Sequence, residues 1–257
     1  MIWNKAMECS DRDTMNRLQL RKLQATIKRV YQNVEPYRLK MQSLGLKPGD
    51  IQSLDDIKKL PFTTKSDLRD AYPYGMFSSP LSEIVRIHAS SGTTGKPTVV
   101  GYTRNDLEAW SECIARALSM TGGSKHSVVQ VAYGYGLLTG GLGAHSGAEY
   151  LGASVIPMSS GNTQKQILLM KDFRSTILCC TPSYALTIAE ALKKAGISPV
   201  EISLEAGVFG AEPWTEGMKE EIEKGLGIRA YDIYGLSEVM GDRKSTRLNS
   251  SHLELSR

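Results

Sequence analysis

Thr176-Ile-Leu-Cys-Cys-Thr181, then Pro182-Ser-Tyr-Ala-Leu-Thr-Ile-Ala-Glu-Ala-Leu-Lys-Lys-Ala195-Gly196, then Glu205-Ala-Gly-Val-Phe209, reads as strand, helix, strand. The apolar run with adjacent Cys179 and Cys180 has the length and composition of a buried strand. An amphipathic stretch over 183–195 follows, and Gly196 stands where a helix C-terminal glycine belongs. The same alternation extends both ways. Strands are expected at Val128–Ala132 and Ser154–Met158 upstream and at Arg229–Ile233 downstream, with helices over 137–151, 163–173 and 214–226 and a terminating Gly152. Strands alternating with helices predict an α/β fold with a mostly parallel sheet. Ligands of such sheets bind in loops beyond the carboxyl ends of the strands.

Further upstream, Ile84–Ile87 and Thr98–Thr103 read as strands around a Ser/Gly/Thr loop. A helix should start near Thr103 or Asn105, with Leu107, Trp110, Ile114, Ala117 and Leu118 on one face. Before Ile84 the chain is polar and helical. Leu20, Leu23, Ile27, Val30, Tyr31 and Val34 form one stripe up to Pro36, which bends or ends the pattern. Ser53–Asp56 and Thr64–Asp67 resemble capping boxes with Asp in place of Glu. The expected organisation is a helical region over 1–83 and an α/β region over 84–241.

Composition excludes several classes. The 257 residues are 41% hydrophobic and 23% charged, as in ordinary globular proteins. Neither a membrane-spanning run nor a secretory signal is visible, so a cytoplasmic location is expected. Basic residues do not cluster with aromatics, so nucleic acid is not indicated. The four cysteines lack metal-ligand spacing.

The loop Ser90-Ser91-Gly92-Thr93-Thr94-Gly95-Lys96-Pro97 is the sharpest chemical signal. Its glycines let backbone approach a ligand, its hydroxyls and amides donate, and Lys96 brings a positive charge; together these suit an oligophosphate. It is not a P-loop. The first required glycine is Ser90, Pro97 occupies the Mg²⁺-binding Ser/Thr position, and a strand rather than a helix follows. A plain hairpin connection would also use such residues, but not in this order closed by Lys-Pro. The octapeptide resembles the phosphate-binding loop of the adenylate-forming superfamily, which contains acyl- and aryl-CoA ligases, luciferases and peptide adenylation domains.

Two later segments bear on the same ligand. Gly210-Ala211-Glu212-Pro213 follows a strand; alone it is weak, and Pro213 could simply open the next helix. Asp232-Ile233-Tyr234-Gly235-Leu236-Ser237-Glu238 follows the next strand. Its Tyr can stack on a base, its Gly permits close approach and its carboxylate can hold Mg²⁺; a surface turn before a capped helix is the plain alternative. The superfamily resemblance implies that Gly210 and Ala211 line adenine with Glu212 nearby, and that Tyr234 stacks on it with Asp232 near the amino group. It implies further that Ser237 touches the α-phosphate and Glu238 holds the metal, Glu238 and Lys96 being the residues closest to the chemistry.

Tyr133-Gly-Tyr135-Gly-Leu-Leu138-Thr-Gly-Gly141-Leu-Gly-Ala144-His145-Ser146-Gly-Ala-Glu149 holds six glycines in seventeen residues. Each would weaken a free helix by about 1 kcal/mol relative to Ala, so the run needs close packing or a ligand against it. With Leu60-Pro-Phe-Thr-Thr-Lys65 and Gly161-Asn-Thr163, it is similar to the phenylacetate–CoA ligase branch over residues 14–241. That likeness implies an acyl pocket formed by Tyr133, Tyr135, Leu138, Gly141, Ala144 and His145. Leu138 and Ser146 replace the aromatics usual in that branch. His145 is read as structural or substrate-positioning, because a carboxylate needs no base to ionise at neutral pH.

The implied reaction joins a carboxylate to the α-phosphorus of MgATP with loss of pyrophosphate, after which the thiol of coenzyme A displaces AMP. ATP, Mg²⁺ and coenzyme A are the expected cofactors and co-substrates, and an aryl carboxylic acid the expected partner; phenylacetate, hydroxylated, indole and benzoate-like acids all stay open. A non-catalytic nucleotide-binding module and an adenylating enzyme without coenzyme A are the alternatives, and a homodimer at full length stays open. The tail Asp242–His252 coincides with a translated short-read sequencing adapter, so 242–257 are expected to be disordered and foreign to the fold. Leaving it out removes four Lys/Arg and two Asp/Glu and lowers the formal charge from +4 to +2. The superfamily's ribose-binding Asp and its C-terminal domain with a catalytic Lys have no counterpart, so an incomplete, poorly active fragment is expected.

Overall fold

A computed structural model describes residues 2–90 and 96–239. Ser91, Gly92, Thr93, Thr94 and Gly95 lie outside the described residues, as do Met240 and the tail beyond it. The chain divides into two compact units, one of Asn4–Asp106 and one running from Leu107 on and including Ile2 and Trp3.

The first unit is helical and ends in a hairpin. Helix α1 (Lys5–Glu8) precedes α2 (Arg12–Asn33), which Asp11 caps by accepting from Thr14 N–H at 2.8 Å. Val34 breaks the helix and Pro36 lies in the first turn of α3 (Glu35–Ser43), where its missing N–H costs nothing. The expected stripe is the buried one: Ile27 packs with Met41 and Ile51, flanked by Leu23, Tyr31 and Tyr37. Both Asp capping boxes form, at the 3-10 turn Leu54–Lys59 and at α4 (Lys65–Asp70). Strands β1 (Ile84–Ala89) and β2 (Val99–Thr103) pair antiparallel, in a two-stranded sheet of their own. Their change of composition at Ile84 is therefore not a unit boundary. The division falls at Asp106, in the first turn of α5 (Arg104–Met120), after Thr103 and Asp106 have formed a further capping box.

The second unit is the α/β sandwich. It contains β3 (Val128–Val131), α6 (Thr139–Leu151), β4 (Ser154–Ile156), α7 (Thr163–Asp172), β5 (Ile177–Cys180), α8 (Pro182–Lys194), β6 (Ala206–Gly210), α9 (Glu216–Leu226) and β7 (Arg229–Ile233). The five strands are all parallel, in the order β4-β3-β5-β6-β7. Period-two alternation sorts the side chains. Leu178, Cys180 and Phe209 face α7, α8 and α9, while Ile177, Cys179 and Val208 face α5 and α6. Each fully buried Leu, Ile or Phe contributes about 1.5–3 kcal/mol. Helix ends fall within a few residues of expectation. Pro213, a candidate helix opener, instead precedes α9 by three residues, and Thr215 is the cap.

The glycines of α6 are explained mainly by packing. An added Cβ would lie 2.4 Å from the Trp110 ring at Gly143, 2.3 Å from Ile114 at Gly147 and 2.6 Å from the Gly134 carbonyl oxygen at Gly141. Gly143 and Gly147 stand one turn apart and admit α5 against α6. Gly147→Ala should therefore destabilise the chain by about 1–3 kcal/mol, the range for overpacking. Chemical denaturation of Gly147→Ala with and without Ile114→Ala checks this; additive losses would exclude the contact as the cause.

Candidate active site

Strand order marks a candidate site. The chain leaves β3 for β4 on one side and returns through β5 on the other, so the order reverses between β3 and β5. Crevices at the carboxyl ends of such neighbours are where open α/β sheets bind ligands. Tyr133 and Tyr135 lie just after β3, Thr181 just after β5, and the β6 and β7 ends are next in line.

At the β6 end, Gly210 pairs with Ile233 so closely that a Cβ would stand 2.1 Å from the Ile233 carbonyl oxygen. Ala211 then turns with φ of 72°, a left-handed conformation that costs a non-glycine residue about 1–2 kcal/mol. That outlier directs the backbone away from the sheet at the strand end. Glu212 is turned back to the protein, its Oε1 accepting from Ser183 N–H at 2.7 Å in the first turn of α8, where the helix dipole favours a carboxylate. Pro213 is exposed. Asp232 Oδ1 accepts from the indole N–H of Trp214 at 3.0 Å, and Trp214 stacks edge-on against buried Phe209. Beyond Ile233 the chain rises to the surface. Tyr234 is 52% exposed, Gly235 is open, and Ser237 and Glu238 belong to a 3-10 turn with the Glu238 side chain in solvent.

The β3 end supplies aromatic walls. Tyr133 donates from its hydroxyl to the Val208 carbonyl of β6 at 3.3 Å, so the segment after β3 is tied to the strand that leads to Gly210. Burial, reinforced by the two neighbouring cysteines, pushes its phenol well above the ordinary range and keeps it protonated. Tyr135 is pushed up to about 12, chiefly by burial. Its hydroxyl is 3.2 Å from His145 Nδ1, and His145 Nε2 is 3.1 Å from Glu149 Oε1 one turn on. His145 is thus held at both nitrogens. Ala144 is buried and Gly141 packs on Gly134, whereas Leu138, at the start of α6, is 55% exposed. Burial pushes the Cys179 thiol up to about 12 and holds the Cys180 thiol well above its ordinary range, which makes both inert packing residues.

In the first unit, the base of the Ser90–Lys96 loop is laced by Ser90 N–H donating to the Thr98 carbonyl at 2.9 Å and Thr98 N–H donating to Ser90 Oγ at 3.0 Å. Lys96 Nζ is 5.5 Å from the centroid of the Tyr72 ring. The segment after the loop is a strand, as the contrast with the P-loop required.

Residues 28–252 match the family of AMP-binding enzymes. The chain belongs to that family. Among its relatives, phenylacetate-coenzyme A ligase of Pseudomonas putida is 53% identical over 235 residues, and that of Escherichia coli strain K12 is 54% identical over 236. Each alignment covers 91% of this chain and 54% of the relative, so the chain spans about half the length of those proteins. An open conformation of 2-hydroxyisobutyryl-CoA ligase, solved with 2-HIB-AMP and CoA, superposes with a TM-score of 0.85 at 28% identity, over 92% of this chain and 57% of the other. The adenylate-forming fold is therefore shared.

Several residues in or near the candidate site are not legible as candidates in the sequence. Trp214 pairs with Asp232, and Glu149 pairs with His145 beside Tyr135. Gln130, Gln166 and Ser175 are wholly buried and joined to each other. The one available signal was a Gln inside the otherwise apolar Val128-Val-Gln-Val131. No cluster of three or more His, Cys, Asp or Glu able to cage a metal occurs among the described residues. A lone exposed carboxylate such as Glu238 still fits Mg²⁺, which is commonly held by one or two carboxylates plus substrate phosphates.

Proposed function

We propose that this chain carries the adenylating part of an ATP-dependent acid–CoA ligase acting on an arylacetic acid, phenylacetate or a close analogue. The observation that carries this is the Tyr133–Val208 bond, which sets an aromatic-lined segment at the switch point against the strand leading to the Gly210–Ala211 bend. The named activity of relatives above 50% identity supports the same acid. In this reading the carboxylate oxygen attacks the α-phosphorus of ATP, the bond to pyrophosphate breaks and an acyl-adenylate forms. The sulfur of coenzyme A then displaces AMP.

The residues mainly position groups and neutralise charge. The bend at Gly210–Ala211 offers backbone to adenine, Tyr234 offers a ring face, and Ser237 offers a hydroxyl to the α-phosphate. The Ser90–Lys96 loop serves the phosphates. Glu238 would hold Mg²⁺, which when bound supplies charge neutralisation. Tyr133 and Tyr135, both protonated at neutral pH, present uncharged aromatic surface to an aryl group.

Binding to the chain of a non-hydrolysable phenylacetyl-adenylate analogue, set against AMP, tests this. Burying a phenyl group is worth about 1.5–3 kcal/mol, so the analogue should bind about ten- to hundredfold tighter. Equal affinity would sink the arylacetate reading. Tighter binding without acid-dependent exchange of pyrophosphate into ATP by the full-length protein would favour a binding module.

A further inference from the structure

The loop between β4 and α7 is bent against its backbone preferences. Ser159 and Asn162 have φ of 65° and 48°, on either side of Gly161 at 88°. Asn162 also caps α7, but Ser159 has no such local reason. Non-glycine residues persist in this region where their surroundings over-determine them. Here the surroundings are a buried polar chain. Ser175 Oγ donates to Gln130 Oε1 at 2.7 Å, and Gln130 Nε2 donates to both Gln166 Oε1 (2.6 Å) and the Gln166 carbonyl (3.1 Å). Gln166 Nε2 donates in turn to the Ser159 carbonyl at 2.6 Å and the Gly161 carbonyl at 3.3 Å. Gln130, Gln166 and Ser175 are each 0% exposed. Both carboxamides thus use both donor hydrogens, and such fully satisfied networks rigidify what they hold. From the loop's outer side, Tyr184 O–H donates to the Gly161 carbonyl at 2.8 Å.

The held loop reaches the acid side of the site. Ser159 N–H donates to the Val131 carbonyl at 3.1 Å, and Tyr135 N–H approaches Ser159 Oγ at 3.4 Å. Gly134 lies beside Ser160, whose Oγ would be 3.6 Å from a Cβ there. We infer that Gln166 is a positioning residue for the acid. Through the Ser159 and Gly161 carbonyls it fixes the loop that sets the backbone of the Tyr133–Tyr135 segment, and thereby the shape offered to the aryl group. This rests on the acid site proposed above.

Two variants test it. Gln166→Met keeps length and removes both donors; Tyr184→Phe loosens the same carbonyl from a half-buried position, with little risk to folding. Amide exchange should quicken about tenfold over 157–162 and 133–136, the effect of losing one to two hydrogen bonds, while β5 and β6 keep their protection. Affinity for the phenylacetyl-adenylate analogue should fall about tenfold in Gln166→Met and less in Tyr184→Phe, with AMP affinity unchanged. Parental binding of both ligands, or equal loss of both, overturns the inference. If the parent chain itself binds the analogue no tighter than AMP, the arylacetate reading fails instead. The exchange measurement then still decides whether Gln166 holds the loop, and unchanged exchange overturns that too.

Discussion

In urea, Gly210→Ala is expected to unfold with about 2–3 kcal/mol less stability than the parent chain, at an unchanged m-value. The new methyl group would stand 2.1 Å from the Ile233 carbonyl oxygen, 2.9 Å from its Cγ2 and 3.2 Å from its carbonyl carbon. A flexible side chain could turn away from such a contact, but a backbone carbonyl in the last pair of the β6–β7 ladder cannot. The strands must part where Ala211 already holds a strained φ, so adenine nucleotide affinity should fall with stability. Gly196→Ala is the control: it meets nothing within 4 Å and pays only for its φ of 67°, about 1–2 kcal/mol. A Gly210→Ala chain no less stable than Gly196→Ala would show that the close approach is relieved by easy movement.

Glu238→Gln should leave stability within about 0.5 kcal/mol of the parent, since the side chain is exposed. It should nevertheless lower Mg²⁺-dependent ATP affinity by about 100-fold, the upper end of what loss of even an outer-shell partner costs a metal site. Glutamine keeps the shape and one oxygen but loses the charge that a hard dication needs. Titration of ATP with and without Mg²⁺ separates the two terms. Affinity without metal should be unchanged, because Tyr234 and the Gly210–Ala211 bend remain. An equal Mg²⁺ increment in parent and variant would remove Glu238 from the metal's shell.

Much of the fold was legible because it rests on local patterns. Strand β7 falls at Arg229–Ile233 as expected, and the Asp capping boxes form where Ser53 and Thr64 announce them. Expected strand ends run a residue long at Thr176 and Thr181 for one reason. These threonines look like strand residues by composition but are used as hydrogen-bonding groups, Thr176 accepting from Val128 N–H and Thr181 capping α8. The glycine run showed from sequence that something must pack closely on α6. It could not show that Trp110 and Ile114 fill that space, because they belong to another helix.

The sequence by itself determined the alternation of strands and helices and the strand-end position of the segments at Gly210 and Tyr234. Each depends on residues near one another in the chain. Only the tertiary structure decided the order β4-β3-β5-β6-β7, and with it the switch point beside Tyr133 and Tyr135. It also decided that the β1–β2 hairpin stands outside the parallel sheet, and that Gln130 meets Gln166 across 36 positions of sequence. Parallel strands exchange their hydrogen bonds across intervening helices, and buried amides find their partners across the same distances. Neither leaves a periodic trace in the residues that take part.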